Sequence, residues 1–469
     1  MSRFMAMPGV LCLLAGLCLS NAVGKEEQNG KQPEAKAPAA QATQLEDFEI
    51  GEPIRHANLT VFPVMSKTPK TEDRYLTLEE GLKAKTVEVF EVGAEPRGAP
   101  NAAAGDRQSP PNAAVQTPAV QQPASQSANP PPSQTAPNSA RQQRQTRQSA
   151  ASNRAPSRSS GSRNASSDPF GDDSAGPMGD VNRLMVVNRS GKPLYLMPGE
   201  LIYGGRQDRC IAEETIIAAG GKPTPVKVFC VEHGRWASRG EGETAAALSM
   251  LAGANGEKPD EQTLKDLSNE AKKGKFVAHA GSLSKAGRVA VQESNSQSEV
   301  WDKVGKTNAA SGVAPQSGAY TANYTSPKVL KKLEDYVKDL DKPVTESKQV
   351  VGAVVAINGK VEAIDVFQST PLFQKLWPKI LRGHALDAAN ATSKKDAKKT
   401  CTAKDAQEFM LAAMKAGEAK RNADDGGLVV TKRDSKNVVS FSAADEKASP
   451  SLGGMGGFND AVHSSGYSK

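Results

Sequence analysis

The chain has 469 residues and a formal net charge of +7, and only 38% of its residues are hydrophobic and 5% aromatic. This composition excludes a chain that folds along its whole length, because too few apolar residues are left for a core of that size. No run of about 20 apolar residues occurs, which excludes a transmembrane helix. The deficit of apolar residues is local, so the other segments can still form a folded domain.

The first 24 residues have the pattern of a secretory signal peptide. Arg3 precedes an apolar run over 9–19, and small residues follow, so that cleavage fits equally well after Ala22 or after Gly24. The apolar run is too short to span a bilayer. We therefore expect a secreted or periplasmic protein without a membrane anchor.

A first folded part is predicted over 46–94, after a polar and flexible linker over 25–45. Alternating or apolar runs indicate strands. A Thr before a periodic run with carboxylates in its first turn indicates a capped helix. The predicted elements are a strand over 58–65, a helix over 75–82 with its cap near Thr77, and a strand over 87–92.

Residues 95–180 form a long insert rich in Pro, Ser, Gln and Arg. This segment has almost no apolar residue that can nucleate packing, so it is predicted to be disordered. Between Asp106 and Asp168 it has no acidic residue but seven arginines. Two interpretations of that charge stay open, a linker kept soluble by its arginines and a tract that binds an anionic polymer by counterion release.

The main folded part is predicted over 181–445, and most of its strands come in pairs. Gly220–Pro223 separates two strand-like runs and indicates a hairpin. Asn358–Gly359 separates two more, and this dipeptide is the strongest short hairpin signal. The predicted strands cover 182–188, 193–203, 215–219, 226–232, 350–357, 360–367, 428–431 and 438–441.

Helices are predicted between these strands. Ser326–Pro327 and Thr370–Pro371 each combine an N-cap residue with a Pro in the first turn, and we expect Pro378 to kink the second of these helices. A third helix is predicted over 402–416, and a flexible Gly/Ser-rich tail over 446–469. Strands and helices cluster without regular βαβ alternation, so the fold class is α+β, with an antiparallel-rich mixed sheet and packed helices in one domain split by the insert.

Two polar segments, 198–209 and 230–236, carry the groups that a ligand site needs. Arg offers a planar fork for phosphate or carboxylate, Trp a stacking face, and Glu an acceptor or base. These groups suit a small anionic or nucleotide-like ligand if the two segments meet. The alternative is that the Glu and Arg side chains pair with each other and the Trp fills the core. The candidate residues are Glu200, Gln207, Arg209, Glu232, Arg235 and Trp236.

Three cysteines follow the signal peptide, and two of them flank the first predicted hairpin. Cys210 and Cys230 can lie opposite each other and form a disulfide in an oxidising compartment. Two alternatives stay open, buried free thiols and a nucleophilic Cys230 activated by a nearby base. The five His residues lack metal-ligand spacing and no nucleotide-binding or hydrolase motif occurs, so we expect neither a metal site nor a cofactor.

The two polar segments and the elements around them resemble the ARPP domain family, the ADP-ribosylglycohydrolase- and rhodanese-phosphatase-associated proteins. The specific stretches are Gly-Glu…Gly-Gly-x-Gln-x-Arg over 199–209 and Cys-Val-Glu-x-Gly-Arg-Trp over 230–236. The resemblance implies an α+β domain associated with ADP-ribose and NAD-derived metabolites, with the six candidate residues as its signature. Asp208 departs from the family pattern, in which an amide is more usual, and the insert splits the domain.

Two functions follow as hypotheses. In the first, the exported domain binds or processes a phosphorylated, nucleotide-like compound related to ADP-ribose. In the second, the protein is a non-enzymatic scaffold whose Arg-rich insert contacts anionic polymers of the cell envelope. The first hypothesis requires an accessible site built from the two polar segments, and the second does not.

Overall fold

The structure is a computed structural model that describes residues 47–92, 182–254, 256–294, 296–391, 400–415, 418–423, 428–445 and 461–469. The predicted signal peptide, the linker over 25–45 and the insert over 95–180 lie outside the described residues. The described elements form an α+β fold with antiparallel-rich sheets, as predicted.

The described strands are short, and most are strongly buried. They are β1 (Phe48–Ile50), β2 (Ile54–His56), β3 (Leu59–Ser66), β4 (Leu76–Thr77), β5 (Val87–Glu91), β6 (Arg183–Asn188), β7 (Leu194–Leu196), β8 (Glu200–Gly204), β9 (Arg209–Ile211), β10 (Thr215–Ile217), β11 (Thr224–Cys230), β12 (Lys275–Ser282), β13 (Val350–Ile357), β14 (Lys360–Phe367), β15 (Glu418–Ala423), β16 (Leu428–Asp434), β17 (Val438–Asp445) and β18 (His463–Ser468).

The described helices lie mostly between β11 and β15. They are α1 (Leu78–Lys83), α2 (Glu241–Ala254), α3 (Glu261–Lys272), α4 (Lys285–Glu293), α5 (Gln297–Ser311), α6 (Ala322–Thr325), α7 (Pro327–Leu340), α8 (Lys342–Thr345), α9 (Thr370–Asn390) and α10 (Ala403–Lys415). None of these helices has both the length and the apolar character that a bilayer span requires.

A nine-stranded sheet and a six-stranded barrel organise the fold. The sheet is antiparallel and runs β1–β3–β13–β14–β18–β17–β16–β15, with β2 also paired to β3. The barrel closes in the order β11–β6–β5–β12–β8–β9, which leaves it without free edges. A small third sheet, β10–β7–β4, contains a parallel pair between β4 and β7.

Helix α9 joins the two large sheets into one body. It contacts β13 in the nine-stranded sheet and β12 in the barrel. Its side chains Phe373, Trp377 and Leu381 are fully buried in the core between them. Burial of each such side chain contributes about 1.5–3 kcal/mol. A separate core fills the barrel, and α10 covers the opposite face of the nine-stranded sheet.

The predicted helix starts are confirmed, because each rests on local capping chemistry. Thr77 forms a capping box with Glu80 at the start of α1. Pro327 opens α7. In α9 the N-cap is Ser369, one residue before the predicted Thr370–Pro371 pair, and the helix continues past Pro378 to Asn390.

One of the two predicted hairpins is confirmed and the other is wrong. β13 and β14 pair through Asn358 and Gly359, whose φ angles of 51° and 74° are those of a two-residue hairpin turn. By contrast, β10 pairs with β7, whereas β11 pairs with β6 and β9. The Gly220–Gly221 turn therefore carries the chain from the small sheet into the barrel.

The prediction of a flexible tail over 446–469 is wrong for its last residues. β18 pairs with β14 on one side and β17 on the other, so it lies inside the nine-stranded sheet. Its small residues meet a packing requirement. A Cβ added to Gly466 would lie 2.9 Å from Ala413 Cβ and 3.0 Å from Ile364 Cγ2. The rest of that tail, 446–460, lies outside the described residues.

Candidate functional site

The six sequence-predicted site residues do not form one site. Glu200 opens β8, whereas Gln207 and Arg209 follow the end of that strand. A five-residue strand spans about 15 Å, so the two ends of β8 face different surroundings. Glu232 and Arg235 join the Gln207 end, and Trp236 is 51% exposed. The interpretation of Trp236 as a core residue is therefore wrong.

Asp208, Glu232, Arg235 and Arg239 form a compact cluster, here called the arginine–carboxylate network. Arg239 Nη1 and Nη2 donate to the two oxygens of Asp208 at 2.7 and 2.9 Å, and Nη2 also reaches Glu232 Oε1 at 2.9 Å. Arg235 donates to both oxygens of Glu232 at 2.9 and 2.6 Å. Such paired, charge-assisted bonds are the strongest hydrogen bonds in proteins.

The network is completed by neighbours that use its other hydrogen-bonding groups. Thr321 Oγ1 donates to Asp208 Oδ2 at 2.5 Å, and the Asp208 amide donates to Glu232 Oε2 at 3.0 Å. Burial alone would lower the pKa of Arg239, but the two carboxylates outweigh it and raise that pKa above its ordinary value. Both carboxylates are fully buried. The charges thus neutralise one another inside the protein, as the pairing interpretation requires.

Gln207 and Arg209 are also turned inward. Gln207 Nε2 donates to the backbone carbonyl of Glu232 at 3.0 Å, which ties the two polar segments together. Arg209 is 2% exposed, and its Nη1 approaches the carbonyl of Asp208 at 3.4 Å. These two side chains hold the junction of β9 and β11 and are not presented to solvent.

The predicted disulfide between Cys210 and Cys230 is wrong, since both thiols are free and buried. In the β9–β11 register Cys210 lies opposite Phe229 and Cys230 lies opposite Arg209, so the two sulfurs project from opposite faces. Burial raises the pKa of Cys210 to about 12 and also raises the pKa of Cys230. A raised pKa disfavours the thiolate that a nucleophile needs.

An open pocket lies at a different place, between α1, α2, α3 and β12. Its volume is about 340 Å³, which is within the range of small-molecule sites. Exposed lysines line its mouth, apolar side chains its walls, and the buried His279 its inner end. Glu79, whose side chain is 32% exposed, lines the pocket as well. The principal lining residues are Glu79, Leu82, Lys83, Lys85, Leu248, Leu251, Glu257, Lys258, Leu267, Val277 and His279.

Four charged or polar side chains, Glu79, Glu200, His279 and Lys379, meet at the inner end and are called the inner cluster. Lys379 Nζ lies 3.0 Å from Glu79 Oε2 and 3.9 Å from Glu200 Oε1. Glu200 Oε1 lies 3.2 Å from His279 Nε2, and Glu200 Oε2 accepts the amide of Met197 at 2.8 Å. Glu200 is thus the one sequence-predicted residue that reaches the surroundings of the pocket.

Nearby positive charge keeps the two carboxyls of the inner cluster ionised. Burial opposes the charge of Glu79 and Glu200, but Lys379 and His279 outweigh it and lower the pKa of both carboxyls. Burial and the charge of Lys379 lower the pKa of His279. His279 Nδ1 accepts the amide of Gly281 at 3.2 Å. The ring proton of neutral His279 is therefore on Nε2, facing Glu200.

The backbone of β12 is irregular on both sides of His279. Its register with β8 shifts between Phe276 and Ala278 and again between His279 and Gly281. Such bulges re-aim side chains and often lie next to functional sites. Gly281 has a φ of 117°, and a Cβ there would lie 3.0 Å from the ring of Tyr324. The irregular strand and its Gly together place His279 in the pocket wall.

A third group of charged residues is buried between the nine-stranded sheet, α4 and the small third sheet. Arg288 binds both oxygens of Asp365, at 2.9 and 2.5 Å. His463 links Asp365 (3.0 Å) to Glu214 (2.6 Å), and Glu214 accepts the hydroxyl of Tyr195. All five side chains are buried, and their hydrogen bonds tie β14 and β18 to α4 and the small third sheet.

Sequence reasoning missed Glu79, His279 and Lys379. In the sequence, Glu79 is one of the carboxylates in the first turn of the predicted helix over 75–82, and His279 is one of five scattered His residues. Lys379 carried a usable signal, because it lies among the apolar residues Trp377 and Ile380 of α9. A lysine in an apolar helical stripe is rarely buried without a partner.

The barrel, the nine-stranded sheet and the pocket define a pocket-bearing α+β domain. The chain belongs to the ARPP-1 family, the ARG and Rhodanese-Phosphatase-superfamily-associated Protein domain. The sequence model of that family matches residues 47–98 and 175–448, well over half of the chain. The gap between the two matches falls in the insert, so the domain is split, as predicted. No curated protein and no solved structure shows significant similarity to the chain.

Proposed function

We propose that this ARPP-1 protein is exported and binds a small phosphorylated, nucleotide-like ligand in the pocket between α1, α2, α3 and β12. The pocket itself carries this proposal. It combines apolar walls, a mouth with lysines and an inner end with hydrogen-bonding side chains. Such a combination of a mainly apolar cleft and a few converging polar groups is typical of small-molecule sites.

Each part of the pocket matches one part of such a ligand. Leu248, Leu251 and Val277 offer apolar contact to a ring system. Lys85 and Lys258 are exposed at the mouth, where their charges favour a phosphate group. We therefore assign the ligand to this pocket and not to the arginine–carboxylate network, in which the hydrogen-bonding groups bind one another.

Isothermal titration calorimetry of the chain from residue 25 onward, with AMP, ADP-ribose and ribose 5-phosphate, tests this function. We expect binding of at least one nucleotide, and loss of that binding in Ala252→Phe, because the new ring fills the pocket. Gly253→Phe is the matched control on the same helix, where an added Cβ meets no atom within 4 Å. If no nucleotide binds, or if Ala252→Phe binds as well as the parent protein, the pocket is not the ligand site.

The arginine–carboxylate network favours a second function, because most of the six sequence-predicted residues bind other groups of the protein there. We propose it as the alternative: an exported scaffold whose basic insert contacts anionic envelope polymers. Deleting residues 100–175 and fractionating cells tests this function. Loss of envelope retention supports it, and unchanged retention counts against it. Recovery of the protein only in the cytoplasm would contradict export itself.

A further inference from the structure

Three buried polar atoms meet at the inner end of the pocket and are called the inner trio. They are Glu200 Oε1, His279 Nε2 and Lys379 Nζ, and none of them has a hydrogen-bond partner among the described residues. Glu200 Oε1 lies 3.2 Å from His279 Nε2 and 3.9 Å from Lys379 Nζ, so the trio is compact. Because buried polar atoms nearly always bind a partner, the trio indicates a place where another molecule binds.

A small cavity next to the pocket leads to the inner trio. His279 and Lys379 border this cavity, and it shares His279 and Leu251 with the pocket. Tyr324 and Arg382 also border it, but both donate to backbone carbonyls of the protein. The volume of the cavity is about 10 Å³, which is about what one water-sized oxygen atom needs. A ligand in the pocket can therefore place one oxygen atom against the trio.

The inner trio combines two donors with one acceptor. His279 Nδ1 accepts the amide of Gly281, so the ring proton is on Nε2 and Nε2 donates. Lys379 Nζ has three protons, and its ion pair with Glu79 at 3.0 Å leaves at least one for another acceptor. Burial alone would raise the pKa of Glu200, but His279 and Lys379 outweigh it and lower that pKa, so Oε1 accepts.

A hydroxyl is the ligand group that matches this combination. Its oxygen accepts from His279 and Lys379, and its proton is donated to Glu200. The amino group of a base does not accept from the two donors, and a carbonyl oxygen has no proton for the acceptor. A charged group fits less well, because an anion would face the Glu200 carboxylate and a cation the Lys379 ammonium.

We infer that the inner trio is a subsite for a sugar hydroxyl, so that the ligand is a sugar phosphate or a nucleotide with a free ribose hydroxyl. This inference rests on the proposed ligand pocket and adds which part of the ligand the inner end recognises. The phosphate of such a ligand lies among the exposed lysines of the mouth, Lys85 and Lys258. The sugar is then the part that brings hydroxyl groups to the inner end.

AMP and 2′,3′-dideoxy-AMP test the subsite in the parent protein, because they share base and phosphate and differ in the two ribose hydroxyls. A site that hydrogen-bonds a hydroxyl rejects an analogue without it, since its buried polar groups lose their partner. A water molecule that takes the place of the hydroxyl limits this loss. We therefore expect AMP to bind about tenfold or more tightly than dideoxy-AMP in isothermal titration calorimetry.

Glu200→Gln removes the acceptor of the inner trio at nearly constant shape. Glu200 Oε2 accepts the amide of Met197 at 2.8 Å, so the amide oxygen of the variant keeps that bond and its NH2 group replaces Oε1. The hydroxyl then has no acceptor for its proton, and the affinity ratio of AMP to dideoxy-AMP should fall to within about threefold.

Glu91→Gln is the matched control for this substitution. Glu91 is also buried and also accepts a backbone amide, that of Arg206 at 2.8 Å, but it does not line the pocket. Glu91→Gln should therefore keep the affinity ratio of the parent protein. A ratio that falls equally in both variants would mean that any loss of a buried carboxylate has this effect, and it would overturn the subsite.

The outcomes separate this inference from the proposed function. Equal affinity of AMP and dideoxy-AMP for the parent protein, or an unchanged ratio in Glu200→Gln, overturns the hydroxyl subsite and leaves the pocket as the ligand site. Absence of binding by both nucleotides overturns the pocket and the subsite together. The comparison in the parent protein needs no variant, so it decides the inference if Glu200→Gln fails to fold.

Discussion

The pocket and the arginine–carboxylate network contain similar charged side chains but differ in what surrounds them. In the network, Asp208 and Glu232 are bonded by two arginines, a threonine hydroxyl and backbone amides. In the pocket, Glu79 pairs with Lys379 and also lines an open cavity. Charged residues thus hold the fold together where they face each other, whereas Glu79 and His279 also border a cavity.

This difference also divides the six sequence-predicted residues into two groups. The half around Glu232 and Arg235 stabilises the junction of the barrel strands. The half around Glu200 supports the inner end of the pocket, because Glu200 Oε1 lies 3.2 Å from His279 Nε2 and 3.9 Å from Lys379 Nζ.

The largest expected effect is the loss of one carboxylate from the network. Glu232→Ala leaves Arg235 and Arg239 buried with fewer partners, which should lower the free energy of unfolding by about 3–5 kcal/mol. Urea denaturation measures this change. Glu243→Ala is the control, because Glu243 also pairs with Arg239 but is 66% exposed, and it should cost less than about 1 kcal/mol. Full stability of Glu232→Ala together with lost AMP binding would reverse the comparison and make the network the ligand site.

The second-largest expected effect is a pH dependence of stability, which comes from His463 and its buried charged neighbours. Burial lowers the pKa of His463, but Glu214 and Asp365 outweigh it and raise the pKa to about 9. A folded pKa above the unfolded value of about 6.5 gives stability that is fully present below pH 6.5 and is lost as the pH rises through about 9. We expect a loss of roughly 3 kcal/mol over this interval.

Urea denaturation at pH 6.5, 8 and 9.5 measures that loss, and His463→Gln should remove most of the slope. Tyr195, the neighbouring hydroxyl, has a pKa raised well above 10 by burial and by Glu214, so it does not titrate in this interval. An identical pH slope in the parent protein and His463→Gln would show that another group carries the dependence.

A smaller effect is expected from the lysines at the mouth of the pocket. Lys258→Ala should weaken AMP binding by about three- to tenfold, and the loss should shrink at high salt because the lysine is exposed. Calorimetry at two ionic strengths measures both features. Lys222→Ala removes an exposed lysine that does not line the pocket and should leave the affinity unchanged. Equal losses in the two variants would point to net charge rather than a phosphate contact.

The smallest expected response is that of the thiols Cys210 and Cys230 to a reagent in the folded protein. Because both are buried and their pKa values are raised, neither should react with a thiol-specific dye until denaturant is added. Peptide mapping of the labelled protein measures this. A Cys210–Cys230 cross-link in the non-reduced protein would contradict the β9–β11 register.

Local chemistry explains which elements could be predicted. Thr77 and Pro327 mark helix starts because capping and a proline in the first turn act within a few residues. Asn358–Gly359 marks a hairpin because both residues tolerate a positive φ. The hairpin predicted at Gly220–Gly221 was wrong, because glycines that tolerate a positive φ also occur in a connection between two sheets. Which strands become neighbours depends on distant residues, and the turn does not contain that information.

The sequence by itself determined the α+β class, the split of the domain, the starts of α1, α7, α9 and α10 and the β13–β14 hairpin, because these follow from composition, periodicity and capping. Only the tertiary structure decided that β18 lies in the middle of a sheet and that Glu200 and Gln207 lie at different ends of β8. It also decided that Glu79, His279 and Lys379 meet at a pocket. These placements depend on contacts between residues far apart in the chain. Their energies come from burial and charge pairing in three dimensions, which no local pattern records.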